Sequence, residues 1–206
     1  LCLDALKLYR NASGFSSPVY IHLHKQIPMG AGLGGGSSNA AFVLRALQML
    51  SNNAVSQTIL EEIALKLGAD MPYFLIDKPA YAEGVGEKLQ VFDVNLKGFY
   101  LHLIKPNVHS STKEAFAGIK PNQRNFPLDL FQNLNFATWP NQLTNDFEQS
   151  LFPKYPDLAK AKELLQQAGA EYCSLTGTGS TVFGVFRSKP EEINVPKDWF
   201  QKVLSL

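Results

Sequence analysis

The sequence predicts an α+β chain in two parts that divide near residue 95, and three features carry that prediction. Helical periodicity dominates residues 37–68, alternation typical of strands returns after residue 96, and "EYCSLTGTGSTVFGVF" (171–186) reads as strand, glycine turn, strand. Helices and strands are thus interspersed in a βαβ-like rhythm with hairpins, which suits mixed α/β or α+β.

In chain order, "LCLDALKLYR" has helical spacing, with Leu3, Leu6 and Leu8 apolar, and stops near "NASG" (11–14). "PVYIHLHKQI" (18–27) alternates, Val19, Ile21 and Leu23 against Tyr20, His22 and His24, which predicts a strand. "SSNAAFVLRALQML" predicts a helix capped by Ser37 or Ser38, with a stripe of Ala41, Leu44, Leu47 and Met49. A second helix starts after Ser56 and ends at Gly68. "ADMPYFL" then reads as a short turn into the hairpin sequence "AYAEGVGEKLQVF". "GFYLHLIKP" is a strand stopped by Pro106, and residues 118–147, rich in Asn, Pro, Gln and Phe, predict loops with short helical turns. "YPDLAKAKELLQQAGA" is a helix with Asp157 at its start and Gly169 at its end, and "KPEEINVPKDWFQKVLSL" predicts a short closing helix.

Composition excludes several classes. With 206 residues, 45% hydrophobic and 18% charged, the chain can bury a substantial core. A net charge of +1 is not the basic footprint of a nucleic-acid binder. No apolar run is long enough to span a membrane. Cys2 and Cys173 form no CxxC pair and fit a reducing, cytoplasmic compartment better than a disulfide framework. His22 and His24 share a face, but no third ligand lies nearby, so they read as ordinary histidines. Glu83 and Glu87 flank a glycine turn and read as surface carboxylates.

The densest signal is "PMGAGLGGGSSNAA" (28–41), with five glycines and two serines ahead of a helix. Gly30, Gly32 and Gly35 satisfy GxGxxG, but a dinucleotide site needs an acidic residue about 20 positions on, and no Asp or Glu occurs between Ala5 and Leu60. A P-loop needs a lysine before its Ser/Thr, whereas Ser37 follows Gly36 directly. A protein-kinase glycine loop leads into a strand, and this one leads into a helix. The physics still favours an anion. A helix start offers unpaired N–H groups and partial positive charge, Ser37 and Ser38 add hydroxyls, and Lys7, Arg10, Lys25 and Arg45 populate the acid-free window.

That string resembles the second motif of the GHMP kinases, Pro-x-x-x-Gly-Leu-Gly-Ser-Ser-Ala-Ala. Further stretches agree in order: "GADMPYFL" (68–75), "AYAEGVGEKL" (80–89), "NDFE" (145–148) and "SLTGTGSTVFGVF" (174–186). The resemblance implies the two-domain GHMP fold: a ribosomal-protein-S5-like N-terminal domain lacking its first strands, and a ferredoxin-like C-terminal domain. Residues 1–95 would be the partial ATP-binding domain and 96–206 the substrate-binding domain. The form "GGGSSNAA" resembles the branch that uses ATP and Mg²⁺ to phosphorylate the 2-hydroxyl of a cytidine-diphosphate ester of methylerythritol, in non-mevalonate isoprenoid synthesis. Another GHMP kinase, of homoserine or mevalonate type, and a nucleotide-binding module without turnover are the alternatives.

The resemblance also implies site residues. ATP would lie against Gly30, Ala31, Gly32, Leu33, Gly34, Gly35, Gly36, Ser37, Ser38 and Asn39, with Ser38 on the Mg²⁺ side. Lys25, Pro28 and Met29 would border the base, against the plainer reading of a surface lysine and a core methionine. Asp70 would be the general base, against that of a turn aspartate. Thr112 and Phe116 would touch the substrate, Phe116 stacking on cytosine, unless they are simply a helix cap and a core aromatic. Gly177, Thr178 and Gly179 would close over the phosphates or support the acceptor, unless they form a plain hairpin turn. The family's first motif, carrying a lysine and an asparagine, would precede Leu1, as would an aromatic and histidine segment. The chain therefore reads as N-terminally incomplete. A small-molecule substrate and a monomer or homodimer complete the expectation.

Overall fold

A computed structural model describes residues 1–119 and 135–206, which cluster into two units. One holds Leu1–Met29 and Gly34–Asp93; the other holds Gly30–Leu33 and Val94–Leu206. The glycine segment 30–33 thus groups with the second unit, where a single cut near residue 95 assigns it to the first.

The first unit is built on three helices: α1 (Cys2–Ser13), α2 (Gly35–Leu50) and α3 (Gln57–Leu67). Their core holds Ala5, Tyr9, Ala41, Leu44, Leu47, Leu60, Ile63 and Ala64. On α1 the buried residues are Ala5 and Tyr9, Leu6 and Leu8 pack against the core as predicted, and Leu3 is 73% exposed. Tyr9 decides the face: its ring is buried while its hydroxyl bonds Gln48 and Ser51 on the α2 side. Ser56 caps α3 as expected, accepting from Ile59 N–H. α2 departs from expectation at both ends. It begins at Gly35 behind a left-handed Gly34, so Ser37 and Ser38 lie inside its first turn, and Met49 is 79% exposed.

Two further corrections concern this unit. Residues 18–27 alternate but form no strand, because no strand among the described residues lies beside them to complete a ladder. Where the sequence predicts a turn over residues 69–75 stands the helix α4 (Met71–Ile76), with Pro72 in its first turn, where a missing N–H costs nothing. The hairpin follows as predicted, β1 (Ala80–Glu83) pairing antiparallel with β2 (Lys88–Val91).

The second unit contains an antiparallel sheet of β3 (Tyr100–Lys105), β4 (Tyr172–Leu175), β5 (Val182–Phe186) and β6 (Phe200–Ser205). The spatial order is β4-β5-β3-β6, a ferredoxin-like arrangement in which the first and third strands of the unit lie at the centre. The helix α8 (Pro156–Gln167) covers one face through Leu158, Ala161 and Leu165, against Ile104, Cys173, Val182 and Phe186. Phe136, Trp139, Tyr172 and Val185 form a second cluster. The predicted closing helix is instead β6, because the outer edge of β3 offers six residues of register, Tyr100↔Ser205 to Lys105↔Phe200. Short helices α5 (Thr112–Ala117), α6 (Trp139–Gln142) and α7 (Phe147–Leu151) join these elements, and residues 120–134 of the predicted loop lie outside the described residues. No described helix is long and apolar enough to cross a membrane.

Candidate active site

In the first unit, the candidate site is the start of α2. Gly34 has φ 60°, and a Cβ there would lie 2.4 Å from the Phe74 ring, so both conformation and space demand glycine. Gly35 is closely packed too: a Cβ would meet Ile27 and the Lys25 ammonium, each at 3.0 Å. The first ladder bond of α2 runs from Ser38 N–H to Gly34 O at 2.8 Å. Gly35, Gly36 and Ser37 therefore have no acceptor within the helix for their N–H groups. The Lys25 ammonium thus sits at the positive end of a helix, a juxtaposition that an anion relieves and that is otherwise repulsive.

Ser37 Oγ donates to Asp70 Oδ1 at 3.0 Å, joining the glycine segment to the candidate base. Asp70 occupies the position before α4 but makes no capping bond with its side chain, and it is exposed. Two glycines lie close to it: a Cβ at Gly68 would lie 3.1 Å from Asp70 Oδ1, and one at the hairpin residue Gly86 would lie 3.2 Å from Ala69 O. Expecting a chain that turned straight into a strand missed α4, which sets where Asp70 stands.

The other candidates of this unit are more scattered. Met29 is 84% exposed and not a core methionine, Pro28 is half-buried, and Gly36 lies in the helix with ordinary space around it. Ser38 is half-buried in the first turn of α2. Asn39 lines a groove of about 380 Å³ with Ile21, Leu23 and Phe42. His22 and His24 are exposed.

In the second unit, Gly30–Leu33 lies on the turn between β4 and β5. Thr181 N–H donates to Ala31 O at 3.1 Å, Ser180 N–H to Gly30 O at 3.4 Å, and Thr176 Oγ1 to Gly32 O at 2.9 Å. Gly32 has φ 72°, and a Cβ there would lie 2.3 Å from Thr176 O and 2.8 Å from Gly179 O. This is the close backbone approach for which glycine is required. The turn is held from below as well: Ser110 Oγ donates to Thr178 O, and Ser180 Oγ to Val108 O, both at 2.8 Å. The structure thus brings Gly30, Ala31 and Gly32 together with Gly177, Thr178 and Gly179.

Thr112 is the first residue of α5 and exposed, but the cap is Ser111, whose side chain accepts from Glu114 N–H. Phe116 is 57% exposed rather than in the core, edge-to-face with Phe147 at 5.0 Å. His109, not singled out in the sequence, packs on Gly30, where a Cβ would meet its Nδ1 at 3.0 Å. Among the described residues no group of three His, Cys, Asp or Glu side chains is placed to hold a metal ion.

A glycine-led helix start beside a carboxylate, with a second glycine turn on a ferredoxin-like sheet, defines a class. The GHMP kinases N terminal domain family matches residues 1–78, and the GHMP kinases C terminal family matches residues 123–205. A curated relative from Cytophaga hutchinsonii, 4-diphosphocytidyl-2-C-methyl-D-erythritol kinase, is 41% identical over 93% of this chain and 71% of its own length. The chain belongs to the GHMP kinase family. A relative of the same name from Bacteroides fragilis is 45% identical over 85% of this chain, and the match spans 63% of that relative's length. The crystal structure of a 4-(cytidine 5'-diphospho)-2C-methyl-D-erythritol kinase superposes with a TM-score of 0.77 at 31% identity, covering 91% of this chain and 70% of that one.

Proposed function

We propose that this chain is the catalytic part of an ATP-dependent kinase that phosphorylates the 2-hydroxyl of 4-diphosphocytidyl-2-C-methyl-D-erythritol, a step of non-mevalonate isoprenoid synthesis. The observation that carries the reading is the hydrogen bond from Ser37 to Asp70 at the N-terminus of α2, beside the Lys25 ammonium. It couples an anion-binding helix start to a carboxylate, which are the two parts phosphoryl transfer requires. The choice of acceptor follows the names of the relatives at 41% and 45% identity.

In this reading the residues from Gly30 to Asn39 bind the nucleotide, with the N–H groups of Gly35, Gly36 and Ser37 and the Lys25 ammonium on the triphosphate. Pro28 and Met29 border the base. Ser37 holds Oδ1 of Asp70, and Oδ2 takes the proton of the acceptor hydroxyl. The acceptor oxygen bonds the γ-phosphorus, the bond from phosphorus to the β–γ bridging oxygen breaks, and ADP leaves. Ser38 would hold Mg²⁺ through its hydroxyl beside the phosphates, as the loop Ser/Thr does in P-loop enzymes. When bound, the ion neutralises charge on the transferring phosphoryl group. Thr112, Phe116 and Gly177–Gly179 serve the acceptor, Phe116 offering an exposed ring to cytosine, where stacking is worth about 1–3 kcal/mol. Residues 1–95 act as the nucleotide domain and 96–206 as the acceptor domain of a cytoplasmic monomer or homodimer.

The test is acceptor choice. ADP release is measured with 4-diphosphocytidyl-2-C-methyl-D-erythritol, homoserine and mevalonate in parallel, and the product is located by phosphorus NMR. Turnover with the cytidyl acceptor alone, at its 2-hydroxyl, is expected. Turnover with homoserine or mevalonate instead transfers the assignment to another GHMP kinase. ATP binding without turnover on any of the three supports a nucleotide-binding module.

A further inference from the structure

We propose that Asn145 is a positioning residue that sets the register between the two glycine segments, 30–32 and 176–181. The inference rests on the nucleotide-binding reading of Gly30–Ser38 and adds to it a residue that touches neither ATP nor acceptor.

Asn145 Nδ2 carries two hydrogens and donates one to Leu175 O and one to Gly177 O, each at 2.8 Å. Its Oδ1 accepts from Phe147 N–H at 3.0 Å, as α7 begins. Rotating the amide by half a turn would aim Oδ1 at two carbonyl oxygens, so these three bonds fix its orientation. Leu175 ends β4 and Gly177 lies within the turn at φ 54°; the amide therefore bridges the strand end and the turn. Glu148 holds the same residue, its Oε1 accepting Leu175 N–H at 2.8 Å while Oε2 pairs with Lys162.

Between the two carbonyls that Asn145 holds lies Thr176. Thr176 Oγ1 bonds Gly32 O, and its own carbonyl oxygen lies where a Cβ on Gly32 would be. The same carbonyl accepts from Gly179 N–H at 3.0 Å. Asn145 thus acts through Thr176 on Gly32, and through the turn on Gly30 and Ala31, which bond Ser180 and Thr181. The "NDFE" segment is in this way the fixed support of a glycine segment more than 100 residues earlier in the chain.

The purified protein is titrated with ATP by calorimetry as wild type, Asn145→Ala, Asn145→Ser and Asn145→Asp, with Tyr172→Phe as control. That control removes the bond from Tyr172 to Leu143 O in the same region without touching the turn. Amide hydrogen exchange is followed in peptides covering residues 30–33 and 176–181. Asn145→Ala is expected to raise the ATP Kd about tenfold and to speed exchange in both peptides, consistent with losing the two of its three hydrogen bonds that reach Leu175 and Gly177. Asn145→Ser, which keeps one donor, falls between. Asn145→Asp is worst at neutral pH and recovers as its carboxyl protonates and regains a donor. Tyr172→Phe leaves Kd within about twofold, since neutral hydrogen bonds contribute about 1 kcal/mol and this one lies outside the turn.

Unchanged Kd and unchanged exchange in folded Asn145→Ala overturn the proposal; if that variant does not fold, the same result in Asn145→Ser overturns it. A wild-type protein that binds no ATP overturns the nucleotide-binding reading instead. The exchange data alone then decide whether Asn145 sets the register.

Discussion

At the scale of single residues, the five glycines of "PMGAGLGGGSSNAA" look alike in the sequence and are unlike in the structure. Gly32 lies where a side chain would collide with the backbone of Thr176 and Gly179, neither of which can swing aside. Gly36 sits in the first turn of α2, and its nearest neighbour is the end of Leu1 at 3.4 Å. Opposite outcomes follow for the same substitution. Gly32→Ala is expected to lower stability by about 2–4 kcal/mol through strain and displacement. Gly36→Ala is expected to leave stability unchanged or raise it by about 0.5–1 kcal/mol, as alanine does in helices. Urea unfolding midpoints check both, and equal losses would show that the segment needs glycine for a reason other than backbone approach. Density of glycine was legible as a close-approach loop; which glycine met which neighbour was not, because those neighbours are residues 74 and 176–179.

At the scale of elements, legibility followed the sequence distance to the partner. The hairpin of β1 and β2 and the pair β4–β5 were read correctly, since each turn and its two strands lie within one short stretch. The sequence of β6 predicts a helix because its partner β3 lies about 100 residues away, and "WFQKVL" alone suits either state. Residues 18–27 erred the other way: alternation makes a segment competent for a sheet, but a ladder needs a neighbour. The β3–β6 pair also carries a pH dependence. His102 on β3 is fully buried. Gln201 Nε2 donates to Ile193 O, so its Oε1 faces His102 Nε2 and accepts its proton at 3.1 Å. His102 Nδ1 is buried with no hydrogen-bond partner among the described residues. Burial lowers the imidazole pKa from its ordinary 6.5, outweighing the opposing effects of Gln201 and Glu192. The folded state thus keeps His102 neutral where the unfolded chain takes up a proton. Stability is fully present above about pH 6.5 and falls as pH drops from there toward the depressed folded value. Urea unfolding between pH 5 and 7 is expected to show this loss, and His102→Gln to remove part of the slope. An unchanged slope in the variant would assign it to other groups.

At the scale of the whole molecule, the two units have separate cores, one around α1–α3 and another around the β3–β6 sheet and α8. The α+β class and the kinase family were legible because the family's motifs are dense and ordered. "GGGSSNAA", "GADMPYF" and "GTGST" are strings in which backbone approach and a carboxylate dictate the residue types. The positions of those motifs were less legible. Ser37 bonds Asp70, the cap of α2 is Gly34, three residues before Ser37, and Lys25 lies at the helix start. The proposed mechanism therefore turns on Asp70 taking the acceptor's proton while the start of α2 binds ATP. The measurement that tests this most directly pairs ADP release, with 4-diphosphocytidyl-2-C-methyl-D-erythritol as acceptor, with ATP affinity in wild type and Asp70→Ala. Turnover is expected to fall by about 10²–10⁴-fold, the usual contribution of a general base, with ATP Kd nearly unchanged. Turnover equal to wild type in Asp70→Ala would contradict the account.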